Sequence, residues 1–126
     1  MIIFDLEADN LPHAVTKIHC VVLHNTEDNT TVAYNDVGGE PITRALTLIA
    51  EADRIAGHNI INYDLRVIKK LYGFFEPEGE IIDTLLLSKL YHPNMLELDR
   101  KRALKDMPQK LYGRHSLESY GYRLGE

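Results

Sequence analysis

At 126 residues and 14.4 kDa the chain has room for one core of ordinary size, so a single domain over residues 1–126 is expected. With 44% hydrophobic and 26% charged residues it is neither a disordered chain nor a disulfide scaffold. Nineteen acids against fourteen bases, a net charge of −5, argue against a protein that simply coats nucleic acid.

Met1 to Glu7 predicts a buried strand, an apolar run that breaks into Asp5 and Glu7 at its end. A second strand follows over about Lys17 to His24. The cluster Asn25 to Thr30 (NTEDNT) is a turn, and Thr31 to Tyr34 returns antiparallel as a third strand. Beyond Gly38 and Gly39, the spacing of Ile42, Ala45, Leu46, Ile49 and Ala50 predicts a helix within Glu40 to Asp53. Arg54 to His58 is a short buried strand, and Asn62 can cap a helix from Tyr63 to about Tyr72. A strand at Ile81 to Asp83 leads into a helix through Leu90, which Asp83 or Thr84 can cap. Residues 100–114 (RKRALKDMPQKLYGR) read as a basic loop, and Ser116 caps a last helix with Glu118 in its first turn. Three antiparallel strands followed by alternating helices and parallel strands make an α/β layer fold with a mixed sheet.

The longest apolar runs are about four residues, against about 20 for a membrane span, so no transmembrane helix is expected. The start MIIFDLEAD has no secretory pattern, and Cys20 has no partner for an internal disulfide. A cytoplasmic location follows as the expectation.

Asp5 and Glu7 stand two apart on a strand and leave the same face of the pleat. Such a pair of hard oxygen ligands suits magnesium or manganese, although it is also how an ordinary strand leaves a core. Asp64 falls in the first turn of a helix, where attraction to the helix dipole would explain it equally well. The six histidines show no metal-like pairing, and Tyr112, Tyr120 and Tyr122 read either as half-buried packing or as platforms for bases. Residues 100–114 carry six bases and one acid, so they are either a solvated loop or a surface for a polyanion.

Together these elements are more specific. Asp5-Leu6-Glu7 on a first strand, then His58-Asn59 and Tyr63-Asp64 at a helix start, resemble the first two motifs of the DEDD superfamily of 3′-to-5′ exonucleases. Ile82-Asp83-Thr84-Leu85, Leu87-Ser88-Lys89-Leu90, His115-Ser116-Leu117-Glu118 and Gly121-Tyr122-Arg123-Leu124-Gly125-Glu126 resemble the proofreading exonuclease domain of bacteriophage family A DNA polymerases. The resemblance covers the whole chain. It implies a ribonuclease H-like fold and two-metal hydrolysis, with Mg2+ or Mn2+, of nucleotides from a single-stranded DNA 3′ end. It assigns Asp5, Glu7 and Asp64 to the metals and to catalysis. Leu11 matches a wedge against the terminal base, with a core role the alternative, and Asn59 and Tyr63 match positions at the substrate. Asp83 belongs to an Ile-Asp-Thr element outside the metal carboxylates and reads as structural. For a phage protein, the location would be the host cytoplasm.

The superfamily's third motif, a Tyr or His followed four residues later by Asp on a later helix, has no counterpart. His24 and Asp28 have the spacing but lie at a hairpin, and Tyr122 and Glu126 precede the motif's place in the family. The resemblance therefore implies a C-terminally truncated domain, weak or inactive alone: either a split-gene product whose missing helix a separate polypeptide with the polymerase domain would supply, or a truncated remnant. Two alternatives stay open: a catalytically silent DNA-binding or polymerase-scaffold module using residues 100–114, and a homodimer in which Glu126 or another carboxylate completes the partner's site.

Overall fold

The computed structural model describes residues 1–126, and its chain divides into two compact units, Met1–Asp83 and Thr84–Glu126.

The first unit is a five-stranded mixed sheet with two helices. Its strands are β1 (Ile2–Ala8), β2 (Ile18–Asn25), β3 (Thr30–Tyr34), β4 (Arg54–Gly57) and β5 (Glu80–Asp83), in the spatial order β3-β2-β1-β4-β5. β2 runs antiparallel to both β1 and β3, whereas β4 is parallel to β1 and to β5. This is the α/β, ribonuclease H-like arrangement expected from the sequence. The meander is local because the NTEDNT turn permits direct return; each parallel strand must instead be reached through a helix.

Helix α1 (Ile42–Glu51) buries Ile42, Ala45, Leu46 and Ile49, a single stripe at helical spacing, against β2 and β3. Helix α2 (Asp64–Leu71) buries Val67 and Ile68 and packs on β1. With Phe4, Leu6, Val21, Leu23, Ile55 and Ile60 these residues form one apolar core that lies wholly within the first unit.

Asn62 does not cap α2. Tyr63 takes the N-cap position without a side-chain cap bond, and the Asn62 Oδ1 accepts from Arg66 Nη1 at 3.3 Å. The physical reason lies one residue on, where the Asp64 side chain is drawn to β1 and starts the helix from that anchor.

The second unit holds α3 (Thr84–Tyr91), α4 (Met95–Arg102), a 3-10 turn (Gln109–Leu111) and α5 (Leu117–Leu124). Ser116 caps α5 as expected, its Oγ accepting from Ser119 N at 3.2 Å, with Glu118 in the first turn. The expected basic loop over 100–114 is part structured: Arg100–Arg102 end α4 and residues 109–111 form the 3-10 turn. What orders it is a buried ion pair. Arg123 Nε and Nη2 donate to the two Asp99 oxygens at 2.9 and 2.7 Å, Gly113 N donates to Asp99 Oδ2 at 2.8 Å, and Arg123 Nη2 donates to Arg114 O at 2.7 Å. Gly113 is required there: its φ is +75°, and a Cβ would stand 2.9 Å from that of Leu96.

Candidate active site

β1 alternates as a half-buried strand should, with Phe4 and Leu6 buried and Asp5 and Glu7 exposed on the opposite face. Its pairing with β4 lasts only through Ile2–Ile55 and Ile3–Ala56. The ladder to β4 ends at Ile3, and the carboxyl ends of parallel strands are where α/β sheets characteristically bind ligands. The Asp64 carboxylate fills the gap in the ladder, accepting from Leu6 N at 3.2 Å. Asp64 thereby docks the first turn of α2 onto the strand that carries Asp5 and Glu7.

The loop from β4 to α2 is fixed by several constraints. Gly57 lies so close to β1 that a Cβ would meet Phe4 O at 2.7 Å and Ile60 Cγ2 at 2.3 Å, so only glycine fits. Asn59 is left-handed, with φ 65°, a conformation asparagine tolerates better than most residues. Asp83, at the end of β5, accepts from Asn59 N and Ile61 N at 3.0 Å each. Its structural role is therefore broader than the helix cap expected of it, because its carboxylate shapes the turn that delivers Tyr63 and Asp64.

Asn59 O accepts from Tyr63 N at 3.1 Å, and the Tyr63 hydroxyl donates to Asn10 O at 3.0 Å. Leu11 follows directly, 58% exposed, which removes the core alternative for it. Lys70 Nζ donates to Pro12 O and His13 O at 2.9 Å each, so α2 holds the β1–β2 loop at two points. Leu11, Asn59 and Tyr63 thus stand on one bonded framework around the carboxylates.

The electrostatics are those of crowded negative charge. Asp64 is only 2% exposed, and burial, followed by the charge of Asp5, pushes its carboxyl up to about 7; Asp83 adds to the effect. Tyr63 is held above the usual phenol range first by burial, then by the charges of Asp64, Glu7, Asp9 and Asp5. Asp9 was not singled out in the sequence. Its carboxyl is lowered to about 2, chiefly by the Thr16 hydroxyl, and it also accepts from Thr16 N at 2.9 Å and Lys17 N at 3.2 Å. Regular alternation would have set Asp9 in a row with Asp5 and Glu7, but a register shift between Glu7 and Ala8 interrupts the strand.

Nowhere do three or more His, Cys, Asp or Glu side chains gather as a metal-holding group. Asp5 and Asp64 are electrostatically coupled, and Glu7 shares the face of Asp5 without completing a three-ligand set. This donor set fits magnesium, which is commonly held by one or two carboxylates with water and substrate phosphate completing its shell. Away from these carboxylates, His24 Nδ1 lies 2.8 Å from Thr31 Oγ1, and the His115 and Tyr120 side chains both bond the Ser88 hydroxyl. Tyr112 and Tyr120 are half-buried, while Tyr122 is exposed.

No family profile matches the chain. In its fold the chain is similar to a nuclease solved in its apo form, with TM-score 0.56 and 16% identity over 96% of this chain and 63% of that one. It is also similar to the family B DNA polymerase of the archaeon Pyrobaculum calidifontis, with TM-score 0.51 and 14% identity over 98% of this chain and 21% of the other. In sequence it is 38% identical to a DNA-directed DNA polymerase of Enterobacteria phage T3 and 37% identical to one of Escherichia phage T7, in both cases over 100% of this chain. The chain spans 19% of the length of each of those phage polymerases, and its similarity is to their N-terminal part.

Proposed function

We propose that residues 1–126 are a single, partial 3′-to-5′ exonuclease domain that proofreads for a phage DNA polymerase in the host cytoplasm. Its substrate is a single-stranded or mispaired DNA 3′ end. The observation that carries this reading is the buried Asp64 carboxylate, bonded to Leu6 N of β1 and under the charge of Asp5. Two like charges held together in this way are suited to a divalent cation, and the polymerase relatives supply the substrate class.

Asp5 and Asp64 would hold the ions, with Glu7 contributing from the face of Asp5. Bound there, Mg2+ or Mn2+ would supply an activated water and neutralise charge on the departing 3′ oxygen. Exposed Leu11 abuts the terminal base, and Asn59 and Tyr63 orient the last nucleotide. A mismatched end is already unpaired, so it enters at lower cost and is preferred without any reading of base identity. The fourth carboxylate and the Tyr or His of the third motif have no counterpart among residues 1–126, and in this reading the site is completed by a segment carrying that motif.

The test is release of 3′ nucleotides from a mismatched primer in magnesium, manganese or chelator, with and without a peptide bearing the third-motif helix. Release should depend on the metal, rise with the peptide and fall by orders of magnitude in Asp5→Asn and Asp64→Asn. Release that persists in chelator, or no release with metal and peptide together, overturns the reading. Metal-independent DNA binding without any release would instead favour the silent scaffold module.

A further inference from the structure

Charge is divided unevenly along the chain. Residues 1–83 hold fourteen acids and six bases, a net of −8, whereas residues 84–126 hold five acids and eight bases, a net of +3. Six of those eight bases lie in residues 100–114, and all six are exposed.

Some of this charge is used internally. Lys101 Nζ pairs with Glu97 at 2.8 Å, Arg102 Nη2 donates to Arg123 O at 3.4 Å, and Arg114 Nε donates to Lys110 O at 2.8 Å. Asp99 offers nothing to the exposed bases, because Arg123 and the Gly113 amide occupy both its oxygens. Arg100, Lys105 and Lys110 are left exposed and without an ion pair.

Attraction to the helix dipole explains Arg100, Lys101 and Arg102, which form the last turn of α4. It does not explain Lys105, Lys110 and Arg114, which lie beyond the helix end at Ala103. An aromatic ring accompanies the bases. Tyr122 is 38% exposed and precedes Arg123, whose carbonyl receives the Arg102 guanidinium. Bases that follow a phosphate backbone, with an open ring for stacking, are the features of a single-strand platform; an acidic polypeptide would have no use for the ring.

We propose that the basic surface of residues 100–114, together with Tyr122, binds single-stranded nucleic acid without any divalent metal. This surface holds the strand by its backbone and so acts on any sequence.

The experiment titrates the full chain against a fluorescently labelled mixed-sequence oligonucleotide of about 15 nucleotides in chelator, read by anisotropy between about 50 and 200 mM salt. Three phosphate contacts should give a slope of about −2 in log affinity against log salt. The triple variant Arg100→Glu, Lys105→Glu, Lys110→Glu should bind at least about tenfold more weakly while keeping the parent's circular dichroism spectrum, since none of these side chains makes an ion pair in the fold. Tyr122→Ala should weaken binding by about fivefold or more through lost stacking. Binding is read by anisotropy in chelator, where no metal-dependent release of nucleotides takes place, which keeps this test independent of the proposed exonuclease activity. Parental affinity in the triple variant overturns the proposal. So does competition by polyglutamate equal to that by unlabelled oligonucleotide, which would mark the surface as one for an acidic protein.

Discussion

Asp64 and Asp99 are both 2% exposed, one in each unit, and their carboxyls are shifted in opposite directions. Asp64 receives only backbone N–H groups, its own and that of Leu6, and faces the charge of Asp5, so burial dominates and its pKa rises to about 7. Asp99 receives the Arg123 guanidinium and the Gly113 amide, and these bonds hold it below the usual carboxylate range despite its burial. The difference reflects how the units are held together. The first has an apolar core around a sheet and can carry a stressed acid at its rim. The second buries Met95, Met107 and Leu111 beside Ser88, Asp99, Ser119 and Arg123, and it uses a charged knot where an apolar core would otherwise serve. A site that needs negative charge can be supported only where something else supplies the stability.

The strongest way to break this comparison is Asp99→Ala, which leaves Arg123 buried without its partner. A loss of about 3–5 kcal/mol is expected, read as faster amide exchange throughout α4 and α5 while the sheet amides keep their protection. Equal loss of protection in β1 would show that the two units are not separately supported.

A smaller effect, no more than about 4 kcal/mol, comes from pH. The folded pKa of Asp64 lies above its unfolded value of 3.8, so its contribution is fully favourable below pH 3.8 and is lost as pH rises to about 7. Asp99, with its folded pKa depressed, contributes above 3.8 and loses that contribution as pH falls. In chelator, protection of the first unit should therefore decline between about pH 4 and 7, and Asp64→Asn, which retains an acceptor for Leu6 N, should abolish that slope. A slope that survives the substitution assigns it to other groups.

The smallest effect sharpens the view of the second unit. Ser116→Ala removes the one side-chain cap on α5 and should cost about 1 kcal/mol, seen as a lowered local exchange barrier at Ser119 and Tyr120. No change there would mean that the Asp99–Arg123 knot alone sets the stability of α5.

Most of the sheet was legible in the sequence because its causes are local. Alternation around Asp5 and Glu7, the NTEDNT turn and the stripe from Ile42 to Ile49 each occupy one short window. α4 was hidden because its sequence, MLELDRKR, has little apolar periodicity, and its buried anchor Asp99 finds its partner 24 residues away. The Asn62 cap failed for a related reason, since a long-range bond from Asp64 to Leu6, 58 residues apart, decides how α2 begins. Within the site, the types of residue were legible and their spacing was not. That Asp5 and Asp64 crowd each other, that Asp9 is turned to bonding Thr16, and that Asp83 ties down the Asn59 turn all depend on contacts between distant strands.

The bonds from Asp83 carry a consequence for the order of folding. They reach back 24 residues to Asn59 and 22 to Ile61, from the final position of the last strand. Asp5 and Asp64 both leave the ribosome earlier, yet the turn that aims Asp64 lacks its clamp until residue 83 has emerged and β5 has paired. The packing of Asp64 against β1 is thus a late-forming feature of the first unit, and a nascent chain does not carry the finished Asp5 and Asp64 arrangement before its sheet is complete.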